Sequence, residues 1–184
     1  MNLDQLYPYL VPGLLNPDWE PACVPVGHGV WVQLFEDTTS ANGIVHAAVS
    51  PDQLASAGLS AGDAHEQALA NLVRFADDSP DLSIQMLGEV GDPVHFLLYC
   101  DHPRAAACLL LPDLYEQACD LLKTSEVCAV VPQRESLVVL PKRDRAYREM
   151  MVAKLRELEA DARRPISFGL FELTADGVSE FHEA

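Results

Sequence analysis

Three times along this chain a short apolar run is followed, across a loop of turn-forming residues, by a second short apolar run. Residues 29–36 and 44–49 flank 37–43, residues 82–87 and 94–100 flank 88–93, and residues 127–131 and 137–140 flank 132–135. Runs of this length, rich in Val, Leu and aromatic residues and bounded by Gly, Pro, Asn and Asp, read as strands. Two of them joined by a short loop read as a β-hairpin. The stretches between the hairpins carry apolar residues at helical spacing instead. Paired hairpins punctuated by helices, with no long βαβ run, predict an α+β fold: a mainly antiparallel sheet with helices packed on one face. They disfavour a doubly wound nucleotide-binding sheet.

The helical segments carry their own start and stop signals. Ser50-Pro51-Asp52 opens a short helical turn, with Ser at the N-cap and Pro at the first helical position, and Gly58 ends it. Ser60 with Asp63 resembles a capping box for a longer helix, with Leu69, Leu72, Val73 and Ala76 on one face. Pro112-Asp113 starts a helix reaching about Leu122, with Leu114, Ala118, Leu121 and Leu122 inward. Residues 143–163 predict the longest helix, with Tyr147, Met151, Leu155, Leu158 and Ala162 on one side, and residues 168–173 a last strand before a polar tail. Residues 7–29 hold Pro8, Pro12, Pro17, Pro21 and Pro25 together with Gly13, Gly27 and Gly29, so they predict an extended lead-in. The organisation expected is a Pro-rich lead-in over residues 1–28 packed on a single α+β domain over residues 29–184.

Several of these segments together resemble a known family. They are Leu59-Ser60, Ala68-Leu69-Ala70-Asn71-Leu72, Leu109-Leu110-Leu111-Pro112 and Val130-Val131-Pro132-Gln133-Arg134-Glu135, followed by a long helix and a closing Phe strand. In this order they resemble the YtpQ-like bacterial proteins, a family of unknown function, over roughly residues 28 to 174. Glu135 stands where that family usually has Asp. The resemblance implies a fold and a bacterial cytosol, and no chemistry.

Charge limits the partners. The chain has 12 basic and 28 acidic residues, a net charge of −16. Residues 1–122 hold 17 of the acids against Arg74 and Arg104, whereas residues 123–184 hold 11 acids against 10 bases. Such a surface repels nucleic acid and anionic membrane and attracts basic proteins or cations. The bases of residues 142–164 alternate with acids, which reads as a solvated, ion-paired helix face rather than a nucleic-acid patch. No window nears 18 consecutive apolar residues, so no membrane span is expected. The first residues lack the basic and apolar regions of a signal peptide, and five cysteines without CxxC spacing fit reduced thiols, so a cytoplasmic location is expected.

Chemistry-bearing clusters are sparse. His95, Cys100, His102 and Cys108 are metal-ligand types within fourteen residues, but His95 and Cys100 lie at odd separation on one strand and point to opposite faces. A thiol nucleophile built on Cys100 or Cys108 with His102 and Asp101 would sit in acidic surroundings, which raise a thiol pKa rather than lower it. Gly27-His28-Gly29 lacks the lysine and the helix of a phosphate loop and reads as a tight turn into the first strand. Asp77-Asp78-Ser79-Pro80-Asp81 lacks the alternating ligands of a calcium loop. No catalytic residue, metal or cofactor is therefore assigned. The expectation is an acidic, non-enzymatic protein-binding module: an immunity or antitoxin-type inhibitor of a basic effector such as a nuclease. Trp31 would be an aromatic anchor, with Glu36, Asp37, Asp77, Asp78 and Asp81 as acidic contacts. The alternatives are a secretion chaperone, a thiol enzyme using Cys100 and His102, and a housekeeping protein with a small-molecule pocket.

Overall fold

The structure, a computed structural model, describes residues 1–41, 43–92 and 94–182. Its strands form two antiparallel sheets. The smaller is built around β3 (Val30–Ser40), with β1 (Leu6–Pro12) along one edge and β2 (Val24–Gly27) and β4 (Gly43–Ala48) sharing the other. The larger has β5 (Ser83–Leu87), β6 (Phe96–Cys100), β7 (Val127–Gln133), β8 (Ser136–Pro141), β9 (Pro165–Thr174) and β10 (Gly177–Glu180) in the order β10-β9-β7-β8-β6-β5. All three hairpins expected from the apolar runs are present, β3–β4, β5–β6 and β7–β8, but residues 37–40 and Gly43, expected in the first turn, are paired within β3 and β4.

The helices follow their caps. Helix α1 (Pro51–Ser56) begins at a full capping box between Ser50 and Gln53. Helix α2 (Ala61–Asp78) begins at Ser60, whose hydroxyl accepts from the Asp63 backbone N–H. Helices α3 (Leu114–Leu122) and α4 (Arg145–Leu158) complete the set. Among the described residues no helix is long and apolar enough to cross a membrane.

The α+β class with antiparallel strands holds, but the larger sheet carries helices on both faces rather than on one. Along β7 and β8 every second side chain faces one way. Ala129, Val131, Leu137 and Val139 join Leu114, Ala118 and Leu122 of α3 and Leu10, Val30 and Val32 of the smaller sheet. Their neighbours Cys128, Val130, Val138 and Leu140 join Tyr147, Met151 and Leu155 of α4. Two strands that are apolar at every position thus sit at the centre of a three-layer arrangement. A third cluster, Leu6, Leu34, Leu54, Ala64 and Ala68, seats α1 and α2 on the smaller sheet.

Where structure and expectation part, the cause is packing. The lead-in supplies two strands of the smaller sheet. Pro8 and Pro12 donate no hydrogen bond, yet an edge strand tolerates them, and Pro25 stands at a register shift in β2. Gly27-His28-Gly29 is a turn as expected: His28 (φ 51°) and Gly29 (φ 73°) both take left-handed backbone and close the β2–β3 hairpin in two residues. Pro132 lies within β7 at an irregularity between Val130 and Gln133, leaving Arg134 and Glu135 as the turn. Helix α4 stops at Leu158, which is exposed, and Leu121 of α3 is exposed too. Both lie on the expected apolar stripe, but no layer covers them there. The polar tail forms β10 by pairing back on β9. Pro93, expected in the β5–β6 turn, and Asn42, expected in the β3–β4 turn, lie outside the described residues.

Candidate functional site

Strand β5 is the outermost strand of the larger sheet, bonded to β6 on one side and to no described strand on the other. It is also apolar and open. Ile84 is 47% exposed, Met86 53%, Leu87 37% and, just beyond it, Val90 61%. The register places Ile84 opposite Tyr99 and Met86 opposite Leu97, on the face that farther in packs against α3. Leu87 lies opposite Phe96 on the α4 side. β5 overhangs both layers, which leaves its side chains wet and its outward backbone groups without a sheet partner.

Acidic residues frame this strand. Asp77 and Asp78 end α2, Asp81 precedes β5, Glu89 and Asp92 form the turn after it, and Asp101 follows β6. From residue 77 to 101 the chain carries those six acids and no lysine or arginine. The turn is ordered by the Glu89 N–H donating to the Asp92 carboxylate at 2.8 Å, and Arg143 approaches it, donating to the Asp92 carbonyl at 2.8 Å. The rim is therefore mainly negative around an apolar strip, with Arg143 at the turn after β5.

A second constellation is buried in the smaller sheet. Asp37, 2% exposed, receives the Tyr9 hydroxyl at 2.7 Å and Arg104 through Nε at 3.0 Å and Nη2 at 2.6 Å, all on Oδ2. Its Oδ1 faces His46 Nδ1 at 2.6 Å. An ionised carboxylate only accepts, so His46 carries its proton on Nδ1. The Arg104 guanidinium lies 3.5 Å from the Tyr7 ring centroid and 4.7 Å from that of Phe75. Burial pushes the Tyr9 hydroxyl upward, with the Asp37 charge adding to it. Burial likewise lowers His46 despite its bond to Asp37. The network joins β1, β3, β4 and the loop after β6 at one carboxylate. Its acceptor positions are filled from within the protein, so it pins elements together and leaves no position for a substrate.

The candidate contact residues consequently separate. Asp77, Asp78 and Asp81 are exposed and adjoin β5. Asp37 is a correction: expected on the surface, it is committed to Arg104, because an arginine 67 positions away folds onto it. Glu36 is half-buried and accepts from the backbone N–H of Asn2 at 2.6 Å. Trp31 is half-buried in β3, in register with Val11 and Pro25 in the smaller sheet. Sequence reasoning missed Ile84, Met86, Leu87 and Val90, because an apolar run does not announce that its strand lies at an edge.

The thiol and metal clusters do not assemble. Among the described residues no group of three or more His, Cys, Asp or Glu could hold a metal ion. Cys100 donates to Asp101 at 3.3 Å, and burial together with that bond raises its thiol pKa. His102 Nδ1 is taken by the Arg104 backbone N–H at 3.1 Å. Burial alone lifts Cys108 to about 12. Thiols held protonated are poor nucleophiles. Comparison with known proteins adds no relative: no family model, no curated protein and no solved structure matches this chain.

Proposed function

We propose that this protein works by binding rather than catalysis, and that it takes a basic, extended protein segment alongside β5. The observation that carries this reading is the coincidence of an unpaired apolar strand with an acidic rim. An extended segment added to an edge gains main-chain hydrogen bonds, and alternate side chains gain pockets or contacts for specificity. Here Ile84 and Met86 offer apolar contacts to alternate residues, while Asp81 and Glu89 at the two ends favour lysine or arginine. A second copy of the chain is the poorer occupant. Antiparallel self-pairing centred on Gln85 would set Asp81 directly opposite Glu89 of the other copy at both ends, and like charges facing across strands destabilise. An acidic inhibitor of a basic effector, of the immunity or antitoxin kind in a bacterial cytosol, fits this chemistry.

The test uses a decapeptide of alternating valine and lysine, with its valine–glutamate counterpart as control, followed by fluorescence anisotropy and amide hydrogen exchange. Binding of the lysine peptide, weakened by salt and accompanied by new protection of the Ser83–Leu87 amides, is the expected result. Equal binding of both peptides, or protection elsewhere without change in β5, overturns the proposal.

A further inference from the structure

The open strand edges of this protein are guarded unequally. β1 carries Pro8 and Pro12, which cannot donate to an added strand. β10 lies against the β2–β3 turn, where Glu180 accepts the His28 N–H at 3.0 Å. β5 is framed by acids. β4 has none of these devices. It is bonded to β3 on one side and to no described strand on the other. From Thr38 to Ser50 the chain holds no proline and no Asp, Glu, Lys or Arg. Asp37, the nearest acid on β3, is buried and paired with Arg104.

The edge is also apolar. Val45 is 56% exposed, Ala47 is exposed on the same face of the strand, and Ile44 is half-buried. β2 shares this edge of the smaller sheet and brings Val24, 46% exposed and likewise without a charged neighbour in its strand. The free backbone groups can be assigned. The Val49 N–H donates to the Leu34 carbonyl at 2.9 Å, so bonds to β3 alternate back through Ala47, Val45 and Gly43. Ile44, His46 and Ala48 therefore turn their N–H and C=O groups outward.

We propose that β4 pairs with β4 of a second copy of this chain, independently of β5. Antiparallel pairing about a two-fold axis through His46 sets Ile44 opposite Ala48 of the copy and Val45 opposite Ala47, with no like charges facing. The His46 ring is already held by Asp37 and takes no part. Charge selects this occupant. A basic segment gains nothing at an uncharged edge and is drawn to the acids around β5, and an acidic one is repelled by a net charge of −16. The copy meets the same repulsion at long range, yet brings a strand of matching length that is itself uncharged. A contact of six residues a side is small, so the dimer is weak and reversible, with a dissociation constant of about 10–100 µM.

Sedimentation velocity of the whole chain between about 5 and 500 µM, at about 0.02 and 0.3 M NaCl, is the test. A reversible dimer that tightens at least about threefold at the higher salt is expected, because screening relieves the mutual repulsion of two acidic bodies. Binding of a basic peptide at β5 has the opposite salt dependence. Val45→Lys should leave a monomer at all these concentrations, Val45→Thr should keep the dimer, and Ile84→Lys on β5 should not affect it. Amide exchange should slow with protein concentration at Ile44, His46 and Ala48, and stay unchanged at Val45 and Ala47, which already bond β3. A monomer at about 500 µM in both salts overturns the pairing. So does a dimer that survives Val45→Lys, one that Ile84→Lys dissociates, or one that protects none of the three outward amides.

Discussion

Asp37 and Arg104 meet in a buried ion pair, Nη2 to Oδ2 at 2.6 Å, with side chains 2% and 8% exposed. The pair links the centre of the smaller sheet to the loop leaving β6 in the larger one. Two charges taken out of water are tolerable only because the carboxylate is saturated with donors and the guanidinium is sandwiched by Tyr7 and Phe75.

Breaking that pair from one side should therefore cost more than replacing it whole. Asp37→Ala leaves a buried guanidinium without its carboxylate, and a loss of about 3–5 kcal/mol is expected in urea unfolding. The double variant Asp37→Leu with Arg104→Met should recover a large part of that loss. If the single and double variants are equally unstable, the pair is not the joint between the sheets.

Acid should destabilise the fold from the histidines first. His102, buried against Phe75 and beside Arg104, has its pKa lowered to about 4, by burial first and the Arg104 charge second. The unfolded chain protonates near pH 6.5 and the folded one near pH 4. The contribution of His102 is thus fully present above pH 6.5, falls as pH drops, and levels off near pH 4. The loss is at most about 3 kcal/mol. His46 and His65, also lowered by burial, act in the same direction. Urea midpoints measured between pH 7 and 4 should fall less steeply in His102→Gln than in the wild type.

Partner binding and stability should separate at β5. Ile84→Lys and Met86→Lys place a cation on an exposed edge strand, so unfolding free energies should stay within about 1 kcal/mol of wild type. Binding of the valine–lysine peptide should drop by at least about tenfold, since apolar contact is replaced by like charge. Asp81→Lys should act more on the association rate, and its effect should shrink at high salt. Stopped-flow fluorescence at two ionic strengths distinguishes the two kinds of variant.

Gly169 in β9 makes room for His28 of the β2–β3 turn. A Cβ at that position would lie 2.3 Å from the imidazole, whose Nε2 bonds the Leu170 carbonyl at 2.6 Å and whose Nδ1 faces Glu180 at 3.4 Å. Gly169→Ala should therefore displace the ring and cost about 1–3 kcal/mol by overpacking. His28→Ala in the same background should restore most of the loss, a rescue that thermal unfolding of the four proteins would measure.

Much of the secondary structure was readable because it rests on local rules. Ser50 and Ser60 cap their helices as their sequences promise, and the three expected hairpins pair, with residues 37–40, Gly43, Pro132 and Gln133 taken into the strands rather than the turns. β1 and β10 were hidden because proline-rich and polar segments look like loops until a neighbouring strand supplies their hydrogen bonds. The candidate site was half legible. Asp77, Asp78 and Asp81 are exposed as charge alone suggests, since carboxylates stay in water unless paired. Asp37 is the exception that pairing creates, and no local pattern links it to Arg104.

By itself the sequence determined the three hairpins and the capped helices between them, the net charge of −16 and the concentration of acids in residues 1–122. These follow from period, capping chemistry and composition, which act within a few residues of chain. Tertiary structure alone decided that the strands split into two sheets and that β5 lies at an edge with Ile84 and Met86 in water. It also decided that Asp37 belongs to Arg104. Strand order, layer coverage and the pairing of buried charges depend on contacts between distant segments, whose competition is settled by packing of the whole chain rather than by any local pattern.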